Sequence, residues 1–403
     1  MTTSPPPRDG PSRREILAGI GTGAIATLAG CDADGTGGNT APLYDGDWHA
    51  YGNGPLNRHR VTGGAPAPEA SESLTPASWP YLPPVVHEST AYFATDERVV
   101  AVGTDGTEQW SRNLGVTVSG APALDPERSR FYVPTAGATS NESEGPPASV
   151  VVLSLADGRT VDTFQVGSER TYGVTVVDGD VYARSATTCV RVGSDGTERW
   201  RQTFEPLVYD EYNLGDSTAT QIPPAVTANG VYVPDRDAVV KLTPDTGEEV
   251  WRVAVDTPYA ASVVDDSGVI QTGWQETVAV DHAGDVRWRR DLHSRAAAGI
   301  GDSEIYIVAN DLHELDAATG ETNWQAHLPS EGTAAPVVTD SAIIVAAGDV
   351  RAFRRTADGM LAPDRLQWQD SSVHATAYSS PVVADGRIFV SGNFGLAVLH
   401  DGP

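Results

Sequence analysis

The sequence predicts an all-β fold, an eight-bladed propeller of four-stranded antiparallel blades. Three observations predict it. A turn-and-tryptophan phrase recurs five times. Short runs rich in Val, Ile and Tyr stand between turn residues, as strands do. No long helical period follows the N-terminus.

The phrase reads Asp105-Gly-Thr-Glu-Gln-Trp110, Asp195-Gly-Thr-Glu-Arg-Trp200, Thr246-Gly-Glu-Glu-Val-Trp251, Ala283-Gly-Asp-Val-Arg-Trp288 and Thr319-Gly-Glu-Thr-Asn-Trp324. From Trp200 onward the anchors are 51, 37 and 36 residues apart, with 44 more to Trp368. The underlying period falls in the range of propellers and solenoids. The 90 residues between Trp110 and Trp200 hold two units, and Asp157-Gly158 leading to Phe164 is read as a degenerate anchor with Phe164 in the place of tryptophan. Upstream of each anchor lie three strand-like runs, such as Ala225-Val, Val231-Tyr-Val and Val239-Val-Lys-Leu. Four strands make a blade, which buries its two faces only between neighbours, so the repeat implies a closed ring.

Seven anchors (Trp110, Phe164, Trp200, Trp251, Trp288, Trp324 and Trp368) mark complete units. An eighth unit, with Ser380-Pro-Val-Val, Arg387-Ile-Phe-Val and Leu396-Ala-Val-Leu, runs out at Pro403 before its fourth strand. An open edge exposes unpaired backbone groups, so the missing strand is expected from the other end of the chain. Tyr44-Asp-Gly-Asp-Trp48 is the expected donor. Seven blades with a separate N-terminal cap is the alternative architecture.

Ahead of the propeller, Arg13 and Arg14 precede an uncharged apolar stretch from Ile16 to Gly30. That is the layout of a signal peptide, and as a helix of about 22 Å it falls short of a bilayer core of roughly 30 Å. The pair followed by Ile-Leu resembles the twin-arginine export signal. Leu28-Ala-Gly-Cys31 resembles a lipobox, which makes Cys31 the lipidated first residue of the mature chain. The expected organisation is a lipoprotein leader over 1–31, a polar Gly-rich tether over 32–42 and the propeller over 43–403. The protein is thus expected on the outer face of the cytoplasmic membrane, held by lipid on Cys31.

The formal charge of −27 arises from 54 acidic against 27 basic residues, among which Lys241 is the single lysine. This excludes nucleic acid as a natural partner. It also suits concentrated salt, where screening shrinks to roughly 3 Å at 1 M, and the balance resembles that of haloarchaeal proteins. Two cysteines, Cys31 and Cys189, make no disulfide framework. Cys189 sits in a strand-like run and is read as a buried inert thiol.

Leu315-Asp-Ala-Ala-Thr-Gly-Glu-Thr-Asn-Trp324 resembles the repeat of the quinoprotein (PQQ-like) propellers. In that family the tryptophan docks between adjacent blades. The resemblance implies one of two functional classes, a PQQ-dependent alcohol or sugar dehydrogenase or a non-catalytic scaffold such as the propeller lipoprotein of the bacterial outer-membrane barrel-assembly machine. The dehydrogenases carry a vicinal Cys-Cys disulfide over the cofactor and a calcium ion beside a catalytic aspartate, and this chain has no Cys-Cys pair. The repeated carboxylates (Asp105, Asp195, Asp245, Asp316) fall in turns, where Asp bonds its own backbone. A non-catalytic scaffold is therefore expected, with no cofactor; PQQ with calcium belongs to the enzyme alternative alone.

No metal ligands are assigned, because the nine histidines show no obvious pairing by spacing, although neighbouring blades can bring distant ones together. Trp274 lies off the repeat and is read as blade packing. Two insertions rise above blade length. Gly137 to Ala148 reads as a polar surface excursion. Glu205 to Gly215 carries Tyr209, Asp210, Glu211 and Tyr212, and is the candidate surface for a protein or extracellular ligand, since amphipathic tyrosines are enriched at interfaces.

Overall fold

A computed structural model describes residues 42–75, 80–137, 146–207, 221–356, 365–376 and 378–401. Arg13, Arg14 and Cys31, with the leader and tether, lie outside the described residues, as do Tyr209, Asp210, Glu211 and Tyr212.

The described residues form eight four-stranded antiparallel sheets. In ring order they are blade 1 (85–113), blade 2 (123–167), blade 3 (171–203), blade 4 (225–254), blade 5 (263–290), blade 6 (299–327), blade 7 (337–370) and blade 8 (382–400). The seven-bladed alternative is excluded. In each blade the first strand is buried, as in Val263–Asp265, whereas the fourth alternates toward solvent, as in Glu249–Ala254. The first strands therefore line the axis and the fourth strands form the rim. One end of the ring, here the turn end, holds the hairpins joining first to second and third to fourth strands. The opposite end, the loop end, holds the second-to-third hairpins and the connections between blades.

Blade 8 takes its fourth strand from the N-terminal side, as the strand count requires, but the donor is Ala70–Ser73 and not Tyr44–Trp48. Ala70 pairs with His400 and Ser73 with Ala397. The donor is an exposed rim strand, so it needs no apolar alternation, and the aromatic Tyr44–Trp48 segment is used elsewhere.

Tryptophans lock four of the blades to the next. The Nε1–H groups of Trp110, Trp200, Trp251 and Trp288 donate to the carbonyls of Leu155, Pro244, His282 and Ala317, each in the following blade, at 2.7–3.2 Å. Beneath each ring lies the turn glycine of that following blade. Gly158, Gly247, Gly284 and Gly320 all have positive φ, and a Cβ on any of them would come within 3.0 Å of the tryptophan. Glycine is required there twice over, for the left-handed backbone and for the ring that covers it.

Phe164 does not hold the anchor position of blade 2. The bulge that places Trp110 opposite Ala101 places Asp162 opposite Val152, and Asp162 lies 3.4 Å from the Cβ position of Gly196 in blade 3. Phe164 falls two residues later and packs, partly buried, on the core between blades 2 and 3.

Residues 44–64 run along the turn end of the axis. The carbonyls of Tyr44 and Gly46 accept from Gly386 and Asp385 of blade 8; Trp48 exchanges both backbone bonds with Val86 of blade 1; and His49 accepts from Leu124 of blade 2. Pro55, Leu56, Arg58 and His59 then accept from the first strands of blades 4, 5, 6 and 7 at Val226, Val264, Ile300 and Val338. Left-handed residues Asn53, Asn57 and His59 bend this segment around the ring. Tyr51 is buried in one cluster with Ala121, Ala261, Ala298 and Ala335, so small side chains at the centre of the ring make room for a plug.

Candidate functional site

Where the plug meets blade 1, three potential ligands converge. Trp48 pairs antiparallel with Val86, which sets Asp47 across from His87. Alternation along an extended chain then turns Asp47 and His49 to the same side. Oδ2 of Asp47 lies 2.7 Å from Nδ1 of His87, and Nε2 of His49 lies 3.1 Å from each of them. Oδ1 of Asp47 accepts from the Glu88 backbone N–H at 3.0 Å. All three side chains are half-buried, and this is the one metal-competent group of three among the described residues. Burial lowers the His49 pKa, partly offset by Asp47, and so favours the neutral imidazole. Burial raises the Asp47 carboxyl, but the hydrogen bonds from His87 and Glu88 outweigh it and keep it below the usual carboxylate range.

The loop end has a different character. Trp274, in the second-to-third hairpin of blade 5, is 39% exposed. The Arg295 guanidinium lies 4.9 Å from the Trp274 ring centre and 5.8 Å from that of Tyr259, within cation–π range. His293 donates through Nδ1 to the Trp274 carbonyl at 2.7 Å, and its Nε2 lies 3.3 Å from Glu331. Phe394, in the equivalent hairpin of blade 8, is 71% exposed, and Tyr81, in the connection entering blade 1, is 36% exposed. The other large exposed apolar residues described are Leu43, Val161, Val250 and Val286, at the turn end or on rim strands. The exposed aromatics therefore gather at one end. Gln221, at the edge of the insertion that carries Tyr209 and Tyr212, belongs to this end and donates to the Tyr378 carbonyl at 2.6 Å.

Cys189 is fully buried in the third strand of blade 3, and burial pushes its thiol up to about 12, as expected of an inert packing residue. It has no cysteine beside it, so the residues for a vicinal disulfide over a quinone cofactor are not present in this chain. The repeated turn carboxylates are held by backbone, Asp105 by Thr107 N–H at 2.9 Å and Asp316 by Thr319 N–H at 2.8 Å. Sequence reading missed the convergence of His49 and His87, for which Asp47-x-His49 was the available signal. Trp274, read as blade packing, does pack against Tyr259, His293 and Arg295, but keeps 39% of its surface exposed.

No helix among the described residues is long and apolar enough to cross a membrane. A family model described as outer membrane protein assembly factor BamB (PQQ_2) matches residues 146–273, 177–303 and 274–400, which together span more than half of the chain. The outer membrane protein assembly factor BamB of Nitrosomonas eutropha is 30% identical over 131 residues, covering 30% of this chain and 32% of that protein. The alignment thus spans about a third of the relative's length. Among solved structures, BamB of Moraxella catarrhalis superposes with a TM-score of 0.64 at 14% identity, covering 83% of this chain and 99% of that one. A quinohemoprotein alcohol dehydrogenase of Comamonas testosteroni superposes equally well, with a TM-score of 0.64 at 13% identity over 87% of this chain and 77% of that one. At such identities these two structures share the fold with this chain, and the fold alone.

Proposed function

The chain belongs to the family described as outer membrane protein assembly factor BamB, and from that premise we propose that it is a non-catalytic assembly or binding scaffold that receives a protein partner on its loop end. The observation that carries this reading is the gathering of exposed aromatics there, with Trp274 and Phe394 at 39% and 71% exposure, whereas the large apolar residues exposed on rim strands are valines. Aromatic and arginine side chains supply most of the binding energy at protein interfaces, and a rigid ring presents them without ordering cost. The insertion with Tyr209, Asp210, Glu211 and Tyr212 extends the same proposal. Membership of an assembly-factor family favours partners among proteins being placed in, or held at, a membrane.

We place the protein outside the cytoplasm, anchored by lipid on Cys31 after export directed by Arg13 and Arg14, and in concentrated salt, to which its charge of −27 and single lysine are suited. Labelling with a lipid precursor should be lost in Cys31→Ser; a soluble, unlabelled wild type would defeat the anchor.

Crosslinking on intact cells should capture a reproducible partner, and the paired Trp274→Ala and Phe394→Ala changes should weaken capture without unfolding the ring. An unchanged partner profile would remove the loop end from consideration. The competing oxidoreductase reading predicts stoichiometric PQQ uptake with calcium and dye-linked oxidation of alcohols or sugars by the purified protein. Turnover in that assay would overturn the scaffold.

A further inference from the structure

We propose that Asp47, His49 and His87 form a zinc-type divalent metal site that fastens the N-terminal plug to blade 1. The three facing atoms form a triangle with sides of 2.7, 3.1 and 3.1 Å. Each facing ring nitrogen carries at most one hydrogen, so at most two are available for its three edges. If both nitrogens donate to the carboxylate oxygen, the His49–His87 edge sets two N–H groups against each other. If either nitrogen is bare and accepts from the other, it also turns a lone pair toward the carboxylate. Every tautomer leaves one edge unsatisfied. A cation satisfies all three at once.

The size of the triangle fits. Zinc lies about 2.0–2.1 Å from imidazole nitrogen and carboxylate oxygen. An ion at that distance from all three atoms would stand about 1.1 Å off their plane, with its outer side open to water. Two imidazoles and one carboxylate are a donor set for zinc and its neighbours in the transition series, where calcium and magnesium prefer oxygen alone. The Glu88 N–H engages Oδ1 of Asp47 and so orients Oδ2 toward the nitrogens, the kind of outer support that ligating carboxylates receive. Two further acidic groups flank the site. Glu88 reaches to 4.0 Å from Nε2 of His87, and Asp125 acts on His49 while its own oxygens are engaged by Arg128.

The site also joins parts of the chain that only the fold brings together. Asp47 and His49 come from the plug, and His87 ends the first strand of blade 1, a separation of 38 residues between the histidines. A bound ion there would close a long loop and hold the plug in the ring.

The full chain, stripped with a chelator, should bind one zinc ion per molecule on titration with zinc chloride in a calorimeter, and zinc should raise its unfolding temperature by several degrees. His49→Ala and His87→Ala should each weaken binding by about tenfold or more, while His374→Ala, at the loop end, should leave it unchanged. Cobalt reports on the wild type without any variant, since four- or five-coordinate Co2+ with nitrogen ligands gives visible d–d bands. Absence of those bands, no stoichiometric zinc, or equal affinity in wild type and the two histidine variants would each overturn the proposal.

Discussion

Replacing Gly247 by Ala adds one methyl group where blades 3 and 4 meet. Gly247 has φ of 71°, and its Cβ would lie 2.6 Å from Cδ2 and Cε3 of Trp200. An L-residue forced into that conformation costs about 1–2 kcal/mol. The ring must also move, which strains the 2.7 Å hydrogen bond from Trp200 Nε1 to the Pro244 carbonyl, a bond worth about 1 kcal/mol net. Together these give a loss on the order of 3 kcal/mol. Trp200→Ala alone should cost about 3–5 kcal/mol as a large buried ring is deleted. In that background no ring is left to displace, so Gly247→Ala should cost only the backbone part, about 1–2 kcal/mol. A double-mutant cycle by denaturant unfolding in high salt measures the coupling. Gly247→Ala costing the same in both backgrounds, or less than about 1 kcal/mol in the wild type, would refute the argument that glycine and tryptophan require each other across the blade boundary.

His59, fully buried in the plug, has its pKa driven down to about 3 by burial. The unfolded chain takes up a proton on this ring near pH 6.5 and the folded chain does not, so stability should fall as pH drops below about 6.5, by about 1.4 kcal/mol per pH unit. His59→Asn, which tolerates the left-handed φ of 51°, should flatten that slope when unfolding midpoints are compared at about pH 7 and about pH 5; an unchanged slope contradicts the assignment. In the Cys31→Ser background Cys189 should resist thiol reagents until the protein is unfolded, and rapid labelling of the folded protein would show that the strand carrying it opens. Transfer to dilute buffer should unfold the ring, because the repulsion behind a charge of −27 is no longer screened; full stability there removes the halophilic reading.

The blade count was legible because each unit repeats one phrase, in which glycine and tryptophan have a fixed packing task. Where a unit departs from the phrase, legibility fell. Four residues on from Gly158 stands Asp162, but the repeat period counted back from Trp200 by 36 residues points to the aromatic Phe164 instead. The closing strand Ala70–Ser73 was invisible because a rim strand exposed on both faces needs no apolar pattern. Tyr44–Trp48 drew attention by its aromatics, which fill the axis rather than the rim. His49 and His87 belong to different elements, and their meeting depends on the Trp48–Val86 register, which no local pattern encodes.

The scaffold account is tested most directly by placing a photo-crosslinking residue at single positions of the full chain in living cells. Positions 274 and 394, at the loop end, should yield the same adduct with one partner, and positions 161 and 286, on rim strands, should yield none. Equal capture from all four positions, or from the rim alone, would contradict a docking face at the loop end and with it the proposed function.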